Sequence, residues 1–269
     1  MLAYAQGPSA RSGHGRIVAR AVGDRTELAV SHASSPVRFV RPTFPGSPSA
    51  AVCIVTFGAG LVDGDAFSVE VVVERGATLV LFTQASTKVF RGRSKQSLHA
   101  DVHDGGTLVA LPDPVAPFAD ADYEQRVDVS LHGSSARCVL LDGVTSGRPA
   151  FGERWAFKRV DLRTTVRRAD ETILFDGLRL DTADGSIARR MDRFEALVTL
   201  VSVGAPAVGD AISGSNEIGA DIAVATSLRE GVAVARIGAT SPEMAVNAAR
   251  SRLRNLPEMG AVDPFAARS

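Results

Sequence analysis

Residues 138–153 read "CVLLDGVTSGRPAFGE": an apolar run reaches Asp142, glycines and a proline turn the chain, and Glu153 follows. Two carboxylates around such a loop can be the general acid and base of a glycosidase. They can equally be hard oxygen ligands for a cation, or turn residues facing water. Asp142 of "LLDG" recurs as Asp176 of "LFDG" and as Asp113 of "LPDP", each directly after an aliphatic run. Asp65, in "GLVDGDAF", follows the hairpin signal Asp63-Gly64, which explains Asp63 better than Asp65. If the units carrying these acids stack, the carboxylates form a column. That column suits either a lyase-like site or a path of weak oxygen ligands for a cation.

Other chemistries lack their residues. His99 and His103 share a strand face but sit far apart along it, and His14, His32 and His132 fall at turns or strand ends. There is no His-Glu-x-x-His, no Cys-x-x-Cys and no compact set of three ligands for a permanent zinc or nickel cage. "FGAGLVDGDAF" is glycine-rich but no helix follows it, so it is not a dinucleotide fingerprint, and it lacks a P-loop lysine. "TQASTKVFRGR" sets Lys88 and Arg91 among hydroxyls, which suits an anion or a solvated strand end. No Gly-x-Ser-x-Gly occurs.

The elements that must position the acids are strands. Runs such as "AVCIVTF", "FSVEVVVE", "TLVLFTQ", "TLVAL", "QRVDVSL", "RCVLLD", "ETILFDGLRLD" and "FEALVTLVSV" alternate with turn signals about every ten residues. Nothing in the first two hundred residues reads as helix. Four of these runs share a plan of small polar turn, buried aliphatics and polar break, with turns near Gly76, Gly106, Gly133 and Asp170. A repeat near thirty residues predicts stacked β-units. The expected fold is mainly β, a stacked, β-helix-like arrangement of strands over 1–203 with a small α/β C-terminal part over 204–269. In that tail "GADIAVATS" and "EGVAVARIGA" read as strands, and "GAPAVGDAISGSNEIGAD" reads as loop. Residues 241–256 read as a helix capped by Ser241, with Pro242 first and an apolar stripe of Met244, Ala245, Ala248, Leu253 and Leu256.

With 269 residues, 45% of them hydrophobic, the chain can bury a sizeable core. Lys+Arg and Asp+Glu balance at 30 each, so no global basic field exists to hold nucleic acid. Arg-rich stretches such as "VRRADE" are interleaved with acids and read as solvated faces. Cys53 and Cys138 lie in apolar runs, as buried reduced thiols of a cytoplasmic protein would. No apolar leader and no membrane-spanning run is seen, so no membrane is expected.

The order and spacing of "SPVRFVRPTFP", "GLVDGD", "TQASTKVFR", "LPDPVAPFADADYEQ", "GRPAFGE" and "LFDGLRL" resemble the urease accessory proteins called UreD, or UreH in some bacteria. The resemblance covers most of the chain from about residue 35. It implies a helix-like stack of strands and a non-enzymatic role. Its expected partners are the helical accessory protein UreF, the nickel-loaded GTPase UreG and apo-urease. It also implies an internal tunnel for transient Ni2+, with no tightly bound cofactor. Matched motif to motif, the tunnel acids fall on Asp65, Asp142 and Asp176, a small hydroxyl falls on Thr87, and Glu153 is a polar neighbour. Asp63 departs from the family's usual glycine, and Asp176 stands where a glutamate can occur. Separate single carboxylates suit transit, because histidine and cysteine would hold Ni2+ too well. The alternative reading is a β-solenoid carbohydrate-active enzyme using the same acids. It is disfavoured by the single Trp155 and only two tyrosines, Tyr4 and Tyr123.

Overall fold

The computed structural model describes residues 12–214 and 216–265. The chain begins with β1 (Ser12–Val22), β2 (Arg25–Ala33), β3 (Val37–Val40) and β4 (Ala50–Thr56). It then shuttles through β5 (Ala66–Val73), β6 (Thr78–Thr83), a short β7 (Lys88–Val89), β8 (Gly92–Val102) and β9 (Thr107–Leu111). A short β10 (Ala116–Pro117) leads to β11 (Ala121–Leu131) and β12 (Arg137–Thr145). The small hairpin of β13 (Gly147–Arg148) and β14 (Glu153–Arg154) precedes β15 (Arg159–Arg168) and β16 (Glu171–Asp181). Helix α1 (Ile187–Met191), β17 (Ala196–Val203), helix α2 (Pro206–Ile212), β18 (Glu217–Ile218), β19 (Ile222–Arg229), β20 (Val232–Ala239) and helix α3 (Pro242–Ser251) complete it.

The strands form two large sheets, ordered β16-β15-β11-β8-β5-β1-β2 and β18-β19-β20-β17-β12-β9-β6-β4-β3. Successive strands alternate between the sheets, so β5, β8, β11 and β15 run parallel in one while β4, β6, β9 and β12 run parallel in the other. That winding is the expected β-helix-like stack. The strands β6, β9 and β12 start at Thr78, Thr107 and Arg137, which is the repeat of about thirty residues. The fourth repeat breaks the pattern: β16 folds back antiparallel on β15 in the seven-stranded sheet instead of adding to the nine-stranded one.

One apolar core lies between the sheets, including Ile17, Val69, Leu79, Leu108 and Leu140. A second lies on the far face of the nine-stranded sheet, where Val80, Val109, Val139 and Leu200 meet Val208, Ile212, Ala245 and Ala249 of α2 and α3. Cys138 belongs to the first core and Cys53 to the second, on opposite faces of one sheet. Both cysteines are buried, and burial pushes the Cys138 thiol up to about 12.

Several local expectations change. The strands β1, β2 and β3 precede the first run read as strand, and α1 interrupts the stretch read as free of helix. The stretch after residue 204 contains α2, which Pro206 starts and which buries Val208 and Ile212, one turn apart. Helix α3 is capped as expected, the Ser241 hydroxyl accepting from Met244 N at 3.1 Å. It ends at Ser251, where the Ser251 hydroxyl and the Arg252 guanidinium both donate to the carbonyl of Ala248. The chain then turns to lay Leu253 and Leu256 on the sheet, and Met244 is left 37% exposed, off the buried stripe. The strands β19 and β20 of the tail extend the nine-stranded sheet through β17.

Leu108 fills the inter-sheet core with no exposure, so Leu108→Ala should cost about 2–5 kcal/mol in urea unfolding. Met244→Ala should stay within about 0.5 kcal/mol of the parent. Equal losses in the two variants would contradict this assignment of the buried stripe.

Candidate functional site

A cavity of about 270 Å³ opens between the sheets beneath the loops around Gly58–Gly60 and Gln84–Lys88. Aliphatics from both sheets form much of its wall. Its polar lining includes Thr87, Gln96, Gln125, Asp142 and Thr164.

Asp142 sits on β12, where inward and outward positions alternate and its turn faces the seven-stranded sheet. The Asp-Gly pair here is not a turn. Asp142-Gly143 lies inside β12 and Asp176-Gly177 inside β16. Gly143 is required by close approach: a Cβ there would meet the Leu197 carbonyl oxygen at 2.6 Å. Its N–H donates to Asp142 Oδ1 at 2.7 Å, and Gln125 Nε2 donates to the same oxygen at 2.7 Å. Gln125 is 3% exposed. Its Oε1 accepts from the Tyr123 hydroxyl at 2.9 Å and from Gln96 Nε2 at 2.5 Å.

Burial pushes the Asp142 carboxyl up to about 7; its two hydrogen bonds oppose the rise and the charge of Asp176 adds to it. The residue retains some accessible surface because it opens on the cavity. Burial likewise holds the fully enclosed Tyr123 hydroxyl well above its usual range, with the charge of Asp142 a further cause.

The other expected site residues are placed differently. Asp65, 4% exposed, caps its own turn: Oδ2 accepts from Val62 N at 2.9 Å, and its N–H donates to Val62 O at 3.0 Å. It is not among the residues lining the cavity. Asp176 is the cross-strand neighbour of Thr164, and its Oδ1 accepts from Arg236 of β20, so this pair joins the edge strand of the seven-stranded sheet to an inner strand of the nine-stranded one. Glu153 is held by Arg148 at 2.9 and 2.5 Å and accepts from Ala119 N at 3.3 Å. The Arg148 bonds keep its carboxyl below the usual range. Asp113 is one residue out of step with Asp142 and is bonded to Thr83 and to Arg250 of α3. The fold therefore brings Asp142 and Asp176 near one another, with Thr87 on the same cavity, but leaves Asp65 and Glu153 in separate turns. Among the described residues no group of three or more His, Cys, Asp or Glu is arranged to hold a metal ion.

Gln125, Gln96, Tyr123 and Arg236 were not singled out from sequence. The alternation of β11 puts Tyr123 and Gln125 on one inward face, and a glutamine at a core position was the available signal.

A two-sheet scaffold wound in parallel around a cavity with a buried carboxylate in its wall is the class of protein defined here. The chain belongs to the UreD urease accessory protein family, whose sequence profile matches residues 11–262. It is 43% identical over 264 residues to the urease accessory protein UreD of Sorangium cellulosum (strain So ce56), covering 95% of this chain and 84% of that one. It is 35% identical over 269 residues to urease accessory protein UreD of Anaeromyxobacter sp. (strain Fw109-5), covering 95% and 89%. Urease accessory protein D of Arabidopsis thaliana is 34% identical over 200 residues, or 71% of this chain and 68% of the plant one. These relatives are named as accessory proteins rather than as enzymes. Among the described residues no helix is long and apolar enough to cross a membrane.

The raised carboxyl makes a sign-definite prediction. Between about pH 4, where the unfolded aspartate releases its proton, and about pH 7, the folded state holds more protons, so stability falls as pH rises. Asp142→Asn keeps an acceptor for both donors and removes that slope. Its thermal stability relative to the parent should rise across this window and level off above pH 7, with a gain of at most about 4 kcal/mol. A difference curve flat from pH 4 to 8 would contradict the assignment.

Proposed function

We propose that this chain is a non-catalytic scaffold for metallocentre assembly in urease. Its cargo is Ni2+, handed on from the GTPase UreG in a complex with UreF and released toward apo-urease. The cavity between the sheets is part of the route, and Asp142 is the carboxylate that the hydrated ion meets there. Thr87 contributes a hydroxyl near the opening, Asp176 stands next to Asp142 toward the sheet edge, and Asp65 and Glu153 shape the turns around them. The complex works in the cytoplasm, and no cofactor stays bound.

The observation that carries this reading is the half-buried Asp142 carboxylate on a cavity wall rich in hydroxyls, amides and aliphatics, where the second carboxylate, Asp113, is already bonded to Arg250, in a UreD-family chain. A single hard oxygen donor binds Ni2+ weakly, whereas imidazoles and thiolates would retain it. A carboxyl that ionises near neutral pH is charged for only part of the time, and this further limits retention.

The test is urease activation at limiting nickel, with recovery of the complex with UreF measured in parallel. Asp142→Ala should lower activation about 10- to 100-fold, the range for disturbing a metal's surroundings, while the complex is recovered at parental yield. Full activation by Asp142→Ala would remove the metal route and leave only the scaffold. Loss of the complex together with activation would make Asp142 a structural residue.

A further inference from the structure

Both donors that reach Asp142, Gln125 Nε2 and Gly143 N, land on the same oxygen, Oδ1. Among the described residues no hydrogen bond is made to Oδ2. A carboxylate turned this way has one oxygen fixed against its own strand and the other left for the cavity that it lines. Gly143 N cannot do this alone, because a single donor on one oxygen leaves the group free to rotate about its Cβ–Cγ bond. The second donor comes from the opposite sheet, since Gln125 lies on β11 and Asp142 on β12.

Gln125 is itself held. Its Oε1 accepts from Tyr123 and Gln96, which fixes which end of the amide faces Asp142: with two donors at the oxygen, the NH2 group must point the other way. Tyr123 is fully buried and Gln125 nearly so, so the pair cannot trade these partners for bulk water. Beyond them, Gln96 Oε1 is buried without a partner, an acceptor left over in the cavity wall.

We propose that Gln125 is the positioning residue of this site: backed by Tyr123 and Gln96, it holds Asp142 Oδ1 against β12 and so presents Oδ2 to a divalent cation in the cavity. This rests on the metal-route reading above. Its chemistry is that of an outer hydrogen bond which aims a metal-binding carboxylate. Arg and Lys are unsuited to the task, because a fixed positive charge beside Asp142 would neutralise the oxygen offered to the cation.

The test is a double-mutant cycle on Gln125 and Asp142 in the chain assembled with its partners, read as urease activation against nickel concentration. Gln125→Met keeps length and removes the amide. Tyr123→Phe with Gln125→Met also removes the hydroxyl that would otherwise lose its acceptor. Either should lower activation about 10-fold at limiting nickel, with recovery of complex at the parental level and partial restoration at high nickel. Added to Asp142→Ala, Gln125→Met should lower activation no further, because it acts through that carboxylate. An equal further loss in the Asp142→Ala background, or full activation by Gln125→Met while Asp142→Ala is impaired, would overturn the positioning role. Full activation by Asp142→Ala itself would instead remove the metal route on which it rests. Failure of both Gln125 variants to yield a complex would assign Gln125 to the core and end the proposal.

Discussion

The centre of the nine-stranded sheet is buried on both faces, and the rest of the molecule is arranged around that constraint. Strands β6, β9 and β12 bury nearly every position, with the second sheet on one side and helices α2 and α3 on the other. Parallel strands of this kind read as continuous aliphatic runs rather than alternating ones. The winding that places them side by side requires the chain to cross to the other sheet between each pair, and this gives the molecule its paired-sheet form. A polar side chain on such a strand has no solvent to fall back on. Asp142 is therefore either satisfied by specific donors or offered to a cavity, and its two oxygens divide between those outcomes.

The seven-stranded sheet solves a different problem. Its inner face joins the shared core while its outer face meets water, so its strands alternate and carry charged partners across neighbouring positions. Arg16 and Glu70 lie 3.3 Å apart, His99 and Asp128 3.6 Å, and Arg126 and Asp161 3.3 Å. Most of these pairs are partly exposed, and each adds little to stability. Their consequence is to keep a broad sheet face solvated with both signs interspersed. Asp161 is the exception in depth: it is 3% exposed and its burial opposes ionisation, but the bonds from Arg163 and Arg126 prevail and hold its carboxyl below the usual range. The contrast with Asp142 is instructive. Both aspartates are withdrawn from bulk water, but two guanidiniums face one of them, whereas an amide and a backbone N–H face the other.

Arg236 ties the two systems together. Cross-strand register places Asp142, Thr199 and Arg236 in one row across the nine-stranded sheet, and Thr164 beside Asp176 in the other. The Arg236–Asp176 pair thus links the edge strand β16 of one sheet to the inner strand β20 of the other, in the row that contains Asp142. It also gives the second acid a partner that the first does not have, so equivalent motifs, "LLDG" and "LFDG", end in unlike surroundings.

Much of this was legible in the residues alone. Aliphatic runs between turn signals, and their echo near thirty residues, identified a stacked β fold because burial of repeated strands constrains residue type locally. The Ser241-Pro242 start of α3 was equally local, since a cap is formed within one turn. The order of several motifs marked Asp142, Asp176 and Thr87 for attention. What the residues could not determine was partnership. Asp142-Gly143 and Asp176-Gly177 look like turns because Asp-Gly usually is one; only the pairing of β12 with β17 and of β15 with β16 makes them mid-strand. Nor could the chain order reveal that β16 would fold back onto β15, which moves Asp176 to the other sheet, or that Gln125 would reach Asp142 across the core. Local pattern sets which residues must be buried, and their spacing sets the strands. Which buried polar group faces which depends on contacts between strands distant in sequence, and those exist only once the two sheets close on each other.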